Sequence, residues 1–374
     1  MDPNPDLENE ALFSACLCEV RGNLFEESET ASFHSQRHFP KSGFGVEFII
    51  DTEMSACYIF KKILPYKRWH NRTQMNLANR FILSAIQLLP KPLVKRFAMR
   101  YIAGEKLDDA ARVVRAVNSK RMMGTMDVLG ENVVTREESL VAVGACEEVL
   151  HSIHKNRLDA NLSIKLTQFG LKIDEEFCHS NVKRLLEIAS GYNNFVRIDM
   201  EDSSTTSETL ELYGRLRSEG FENVGLVIQA NMRRSEEDVL RLIPVRANIR
   251  LCKGAYVEPD AIAFKGREEI RLNYLKLLKR LLEGKCYVGI ATHDDSLINR
   301  AYQYVGEMNL KKFDFEFQML YGVKSKLRDK IVADGHRLRV YVPFGQYWYA
   351  YSIRRFKENP QIAWYVFQAI FSGS

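Results

Sequence analysis

Eight short runs of β-forming residues, each followed by a helix-like segment, constrain the fold more than any other feature of this sequence. The runs start about every 25–40 residues, a spacing that suits a strand plus a crossover helix. They are "MGTMDVLG" (123–130), "NLSIKL" (161–166), "FVRIDM" (195–200), "VGLVIQA" (224–230), "ANIRLCKG" (247–254), "YVGIAT" (287–292), "FDFEFQML" (313–320) and "RVYVPFG" (339–345). Eight consecutive βα units predict an α/β fold, a closed (β/α)8 barrel of the TIM type.

An open doubly wound sheet is the alternative arrangement of alternating strands and helices. Such a sheet usually carries a GxGxxG turn when it binds a dinucleotide, and the sequence contains neither that motif nor a P-loop. The closed barrel is therefore the favoured prediction.

Two segments precede the barrel. Residues 1–73 show no steady apolar period, and we interpret them as an N-terminal extension of unknown role, leaving 74–374 as the barrel domain with its N-terminal helices. Residues 76–105 are amphipathic and helical, bent at Pro90 and Pro92. Their polar positions are strongly basic: Arg80, Lys91, Lys95, Arg96 and Arg100. This basic face fits either a solvated helix pair or contact with an anionic membrane surface.

Composition narrows the class of protein. Of 374 residues 46% are hydrophobic and 27% charged, and a net charge of +5 is too small and dispersed to indicate nucleic-acid binding. The seven cysteines form no pair of CxxC units, so neither a zinc site nor a disulfide framework is expected. The first thirty residues are acidic, which disfavours a signal or transit peptide. We expect a cytoplasmic protein with no spanning helix.

Polar residues recur where the predicted strands end. They are Lys165, Asp199, Gln229, Arg250, Lys253, Thr292, His293, Glu316, Gln318 and Tyr341. Any one of them could be structural, and a pair of Arg250 with Glu316 inside the barrel would be an ordinary outcome. Together, they would meet at the C-terminal mouth of a barrel, where active sites of this fold lie. No second histidine stands at metal-ligand spacing from His293, so no metal is expected.

A helix with two adjacent arginines follows the eighth run. Tyr351, Arg354, Arg355 and Glu358 fall at i, i+3, i+4 and i+7, on one helix face, and Pro360 ends the segment. Adjacent guanidinium groups repel each other unless an anion lies beside them. A helix that begins at the mouth could lean this pair over the pocket, whereas a helix pointing away would make it a solvated basic turn.

These motifs resemble those of the proline dehydrogenase family, where they occur in the same order on a (β/α)8 barrel. The matching segments are "SIKL", "VRIDMED", "IRLCKGAY", "ATHDD", "FEFQMLYG", "RVYVPFG" and "YSIRRFKEN". The resemblance covers about residue 76 to the C-terminus and is closest to the monofunctional bacterial type. It implies oxidation of L-proline to Δ1-pyrroline-5-carboxylate, the first step of proline catabolism. Hydride would pass to a non-covalent FAD, and the electrons would then pass to a membrane quinone.

The resemblance also implies roles for individual residues. The catalytic set is Lys165, Asp199, Arg354 and Arg355. The residues around the substrate are Lys165, Leu251, Tyr256, Tyr341, Tyr351, Arg354, Arg355 and Glu358. The FAD contacts are Gln229, Arg250, Lys253, Gly254, Thr292 and His293, with Arg250 beside flavin N5 and the Lys253–Gly254 pair near the pyrophosphate.

Two alternatives belong to other functional classes. One is another flavin-dependent barrel oxidoreductase, similar to methylenetetrahydrofolate reductase, which would not need an arginine pair for a small amino acid. The other is a non-catalytic barrel that binds a partner, against which the retained charged residues argue. Because a quinone dissolves in lipid, we also expect peripheral attachment to the cytoplasmic face of the inner membrane, through the basic helices of 80–100.

Overall fold

The computed structural model describes residues 94–95, 98–131 and 133–358, with side chains up to Ile353. These residues belong to one compact unit, Leu83–Ala363. The predicted boundary between 73 and 74 lies outside them, as do Arg80, Lys91 and most of the basic helix pair. Within the described ranges, no helix is both long enough and apolar enough to cross a membrane.

The eight predicted strands all form, and they close into a barrel in sequence order. They are β1 (Met123–Val128), β2 (Ala160–Lys165), β3 (Val196–Asp199), β4 (Val224–Gln229), β5 (Asn248–Cys252), β6 (Tyr287–Ala291), β7 (Phe315–Leu320) and β8 (Leu338–Phe344). Each strand is parallel to the next, and β8 pairs with β1 from Met123↔Arg339 to Val128↔Phe344. The predicted (β/α)8 fold is therefore confirmed.

Helices surround the barrel and connect its strands. They are α1 (Leu107–Ser119), α2 (Arg136–Lys155), α3 (Glu175–Gly191), α4 (Thr206–Ser218), α5 (Ser235–Leu242), α6 (Arg267–Glu283), α7 (Asp295–Glu307), α8 (Ser325–Ala333) and α9 (Trp348–Glu358), with a short 3-10 helix at Leu166–Phe169. Side-chain caps fix several starts: Thr135 accepts a hydrogen bond from the amide of Glu138, and Asp174 from that of Phe177. The helices that follow β1 and β2 thus begin at defined residues.

The two faces of the barrel wall differ in polarity. Residues such as Leu162, Ile164 and Val196 face the helices and are completely buried in the main hydrophobic core. The alternate residues face the barrel interior, because Arg250 reaches across it to contact Ser163, Asp199 and Gln318 on three other strands. Polar or charged residues on this inner face are Thr125, Asp127, Asn161, Ser163, Lys165, Arg197, Asp199, Gln229, Asn248, Arg250, Tyr287, Glu316, Gln318, Arg339 and Tyr341.

Two glycines on the inner face make room for these long side chains. A Cβ at Gly225 would clash with the guanidinium of Arg197, and a Cβ at Gly289 would clash with the amide of Gln318. Neither glycine has a positive φ. Their role is therefore to leave space inside the barrel, so that buried polar groups can reach their partners.

Candidate active site

A buried ammonium group lies at the C-terminal end of β2, surrounded by carboxylates. Lys165 Nζ is 2.8 Å from Asp127 Oδ1, 3.4 Å from Glu131 Oε1 and 3.9 Å from Asp199 Oδ2. Burial lowers the pKa of Lys165, but the neighbouring acidic groups, Asp127 foremost, outweigh it and raise that pKa well above its usual value. Lys165 is therefore a fixed positive charge at neutral pH.

Asp127 is the closest partner of Lys165, and it is itself completely buried. Burial raises the pKa of its carboxyl group, and the charge of Lys165 acts in the opposite direction. Among the described residues, Asp127 Oδ2 has no hydrogen-bond donor. The carboxylate therefore depends on Lys165 for its stabilisation.

Asp199 accepts hydrogen bonds from residues of three other strands, β2, β5 and β8. Its Oδ1 accepts hydrogen bonds from Ser163 Oγ at 2.8 Å and from Arg250 Nη1, and its Oδ2 accepts one from Tyr341 OH at 2.7 Å. The guanidinium of Arg250 lies 5.1 Å from the ring centroid of Tyr341. The predicted residues from β2, β3, β5 and β8 thus form one connected network at the mouth.

Glu316 lies deeper in the barrel and corrects one expectation. It does not pair with Arg250; its Oε1 lies 2.7 Å from Arg339 Nε, and its Oε2 accepts a hydrogen bond from Tyr287 OH at 2.8 Å. Burial would raise the pKa of Glu316, but Arg339 and the hydrogen-bond donors lower it to about 2. The suggested Arg250–Glu316 pair is wrong because the register around the barrel places Asp199 next to Arg250 and Arg339 next to Glu316.

This buried pair gives a pH-dependent stability that can be measured. Because the folded-state pKa of Glu316 is about 2, against 4.5 for the free side chain, its contribution is fully present above pH 4.5 and is lost as the pH falls toward 2. We expect Glu316→Gln to cost about 3–5 kcal/mol near neutral pH, since Arg339 loses its buried partner. Urea unfolding from pH 7 to pH 3 should show this difference narrowing in acid. A difference that stays constant over that range would contradict the assignment.

Residues predicted for the cofactor lie together at the ends of β4, β5 and β6. Gln229 Nε2 donates to the carbonyl of Glu201 at 2.8 Å, and its Oε1 accepts from the amide of Ala255 at 3.1 Å. Lys253 Nζ donates to Asp294 Oδ2 at 2.6 Å. Gln229 thus holds the loop after β3 and the loop after β5 together. The ammonium of Lys253 has further N–H donors that can bind an anion.

Gly254 is required by both conformation and space. Its φ is +115°, a conformation that favours glycine, and a Cβ there would overlap the side chain of Asn231. Asn231 Oδ1 is buried and has no donor among the described residues. The loop after β5 therefore approaches Asn231 so closely that only glycine fits at position 254.

His293 is a neutral hydrogen-bond donor in this arrangement. Its Nε2 accepts a hydrogen bond from the amide of Leu320 at 2.9 Å, which assigns the ring proton to Nδ1. Burial, aided by the nearby cations, lowers the pKa of His293 to about 4. The adjacent Thr292 is buried, and its hydroxyl accepts from the amide of Asp294 at 3.1 Å.

The remaining residues expected around the substrate have different placements. Tyr256 is half-buried on the loop after β5, and Tyr351 is buried on α9. Leu251 is misplaced by the sequence interpretation, because it alternates with Arg250 and therefore faces the helices, where it is completely buried. Leu320 instead has the inward position, opposite Tyr341 on β8.

The arginine pair lies on a helix that the structure does contain. Residues 351–358 are helical and follow β8 directly, as predicted, in α9. The side chains of Arg354, Arg355 and Glu358 lie outside the described part of the chain, so their proposed contacts stay predictions.

Three neighbours of the predicted residues were missed by the sequence interpretation. Asp127, Glu131 and Ser163 all contact the Lys165–Asp199–Arg250 network. Asp127 could have been found, because it lies near the end of the first predicted strand, and the same strand-end rule identified the residues of the other strands. Ser163 gave no signal, since a serine within a strand is common.

The fold and this mouth define a (β/α)8-barrel enzyme with a charged pocket at the carboxyl ends of its strands. A family model described as "Proline dehydrogenase" matches residues 110–366, which include every strand. The chain is 37% identical over 273 residues to "Proline dehydrogenase 1" of Bacillus subtilis subsp. natto, covering 73% of this chain and 90% of that relative. It is 34% identical over 292 residues to "Proline dehydrogenase" of Deinococcus radiodurans, covering 77% and 94%. The chain belongs to the proline dehydrogenase family.

A solved structure agrees with this assignment. Proline utilization A from Bdellovibrio bacteriovorus, inactivated by N-propargylglycine, is 26% identical with a TM-score of 0.66. The match covers 71% of this chain and 33% of that much longer protein. Family membership therefore supports an oxidoreductase of proline metabolism, in preference to a reductase similar to methylenetetrahydrofolate reductase or a non-catalytic barrel.

Proposed function

We propose that this enzyme oxidises L-proline to Δ1-pyrroline-5-carboxylate, with FAD as the hydride acceptor and a quinone as the final electron acceptor. The observation that carries the proposal is the contact between Arg250 and Asp199. It connects the cofactor residues on β4–β6 to the substrate residues on β2, β3 and β8. Because this contact joins the two regions, a cofactor and a small substrate bound in them would lie next to each other. Transfer of a hydride requires that arrangement.

The cofactor region fits a large anionic ligand with polar edges. Lys253 offers positive charge, Gly254 permits close approach of the backbone, and His293 offers a donor at Nδ1. Asn231 Oδ1, which is buried and has no donor within residues 98–131 and 133–353, is an acceptor for a donor of the ligand. These residues, with Gln229, Arg250 and Thr292, would hold FAD, which when bound supplies the two-electron acceptor that no side chain provides.

The substrate region fits a small amino acid. Lys165 holds a fixed positive charge, and a carboxylate is the strongest handle of free proline. Arg354 and Arg355 are the further cations proposed to bind it, because a planar guanidinium engages a carboxylate at two points. Fixing the carboxylate orients the reacting C–H bond, and positioning of this kind supplies much of the rate of such reactions.

The oxidation removes a hydride from carbon, the nitrogen lone pair forms the C=N bond, and the resulting iminium then releases its N–H proton to water. Hydride departure is favoured when the nitrogen is neutral, because its lone pair stabilises the developing iminium. A cluster of cations around the carboxylate lowers the pKa of the substrate amine and so favours that neutral form. Arg250 would stabilise the negative charge that develops on the reduced cofactor.

A spectroscopic experiment tests the proposal directly. The purified protein should be yellow, and its flavin absorbance should bleach when L-proline is added anaerobically. Prior treatment with N-propargylglycine, which inactivated the Bdellovibrio protein, should prevent turnover of proline. A folded protein that is colourless and takes up no FAD, or a yellow protein that L-proline does not bleach, would refute the proposal.

We also propose that the enzyme is cytoplasmic and attaches reversibly to the inner face of the inner membrane, where its quinone resides. The basic residues Arg80, Lys91, Lys95, Arg96 and Arg100 are the proposed contact, since each cation near an anionic surface contributes about 1 kcal/mol. The protein should co-sediment with vesicles that contain anionic lipid and should be released by salt. Binding that is equal for zwitterionic vesicles and insensitive to salt would exclude this electrostatic attachment.

A further inference from the structure

A chain of buried hydrogen bonds runs from the mouth of the barrel toward its base through one amide. Arg250 Nε donates to Gln318 Oε1 at 2.5 Å, and Gln318 Nε2 donates to Glu316 Oε1 at 2.6 Å. Glu316 in turn is held by Arg339, with Nε at 2.7 Å and Nη2 at 3.1 Å from its two oxygens. Gln318 is 5% exposed and Glu316 is 1% exposed, so water does not compete for these contacts.

The orientation of the Gln318 amide follows from its neighbours. An ionised carboxylate only accepts hydrogen bonds and a guanidinium only donates them. The amide must therefore direct its nitrogen toward Glu316 and its oxygen toward Arg250. A glutamate would place two carboxylates together, and an apolar residue would leave both charged groups without this partner.

The absence of a side chain at Gly289 leaves the space that this amide occupies. It lies on β6 opposite Glu316 and beside Gln318, and a Cβ there would clash with the Gln318 amide nitrogen. β6 therefore has no side chain at this inner-face position, and Gln318 can lie between Glu316 and Arg250.

Arg250 is held from two directions as a result. Its Nη1 donates to Asp199 and Ser163, whereas its Nε donates to Gln318. Contacts on two edges of a planar group fix both its position and its rotation. We propose that Gln318 is a positioning residue that fixes the guanidinium of Arg250 relative to the bound cofactor, and so sets the stability of the reduced cofactor. This inference rests on the proposed function, in which Arg250 contacts FAD.

The test compares two inner-face amides that each accept from an arginine, the buried Gln318 and the half-buried Asn248. In Gln318→Met, Arg250 loses its Nε partner while side-chain volume is nearly kept. In the control, Asn248→Leu, a different arginine loses one side-chain acceptor, because Asn248 Oδ1 accepts from Arg197 Nη2, while Arg197 Nη1 keeps the carbonyls of Leu226 and residue 248. Both variants should lose stability in urea unfolding, so a stability change alone does not distinguish them.

The midpoint potential of the bound flavin is the readout that a purely structural role would not move. In Gln318→Met, we expect the reduced form to be about tenfold less favoured, a shift of about 30 mV to more negative potential for a two-electron couple. We expect kcat to fall and KM for proline to change less, since Asp199 keeps Ser163 and Tyr341 as donors when Gln318 is replaced. Asn248→Leu should keep both the wild-type potential and the wild-type kcat.

A second variant covers the case in which Gln318→Met does not fold. Gly289→Ala displaces the same amide by its added methyl group and should give the same direction of shift. If folded, flavin-loaded Gln318→Met or Gly289→Ala keeps the wild-type potential, the inference is wrong while the proposed function stands. If the wild-type protein binds no flavin, the proposed function itself fails.

Discussion

Lys165→Met should abolish most of the activity and also destabilise the protein. Loss of the proposed charge-assisted contact between Lys165 and the proline carboxylate should cost about 2–5 kcal/mol, or roughly 30- to 5,000-fold in kcat/KM. The same change leaves Asp127 buried without its cation, which lies 2.8 Å away in the wild-type structure. Breaking such a pair costs about 3–5 kcal/mol of folding free energy. Steady-state kinetics and urea unfolding at pH 7 measure the two effects.

A double variant separates the two roles of this lysine. In Lys165→Met/Asp127→Asn the uncompensated carboxylate is removed, so we expect stability to recover relative to Lys165→Met. Turnover of proline should not recover, because no cation is restored. Asp127→Asn alone shows what the loss of the carboxylate does while Lys165 keeps Glu131 at 3.4 Å. A double variant that regained wild-type kcat/KM would show that Lys165 serves only the fold.

Arg355→Met should raise KM for proline and lower kcat/KM while leaving FAD content nearly intact. The proposed flavin contacts lie on β4–β6, whereas Arg355 lies on α9, after β8. Loss of a guanidinium partner to a buried anion again costs about 2–5 kcal/mol, or roughly 30- to 5,000-fold. Initial-rate kinetics, with flavin content from the absorbance spectrum, test both parts of this expectation.

Two comparisons show whether Arg355 recognises the carboxylate. Lys357→Met removes a positive charge from the same helix, but Lys357 is two residues from Arg355 and so lies on another face, and its effect should be small. Prolinol, which lacks the carboxylate, should be a poor substrate for wild type and Arg355→Met alike. Equal losses for proline and prolinol in Arg355→Met would show that the arginine serves the helix or the flavin instead.

The sequence by itself determined the order and type of the elements around the barrel. All eight predicted runs overlap the observed strands, and their ends differ by one or two residues: β6 is Tyr287–Ala291 against the predicted 287–292, and β2 is Ala160–Lys165 against 161–166. Strand runs buried against helices are apolar and short, and helices are longer and amphipathic, so the two kinds of segment differ locally. The polar residues at the strand ends could also be recognised in the sequence, because each interrupts an otherwise apolar run.

Only the tertiary structure decided which polar groups meet. Arg250 pairs with Asp199, which is 51 residues away, while Glu316 pairs with Arg339, which is 23 residues away. Strand order alone does not specify these choices, since they depend on how far each strand is shifted along its neighbour when the barrel closes. The inward or outward direction of Leu251 has the same origin: a shift of one residue exchanges the two faces of a strand. The amide of Gln318 shows it most clearly, because its partners come from β5 and β7 and its space from Gly289 on β6, and the register of these three neighbouring strands brings them together.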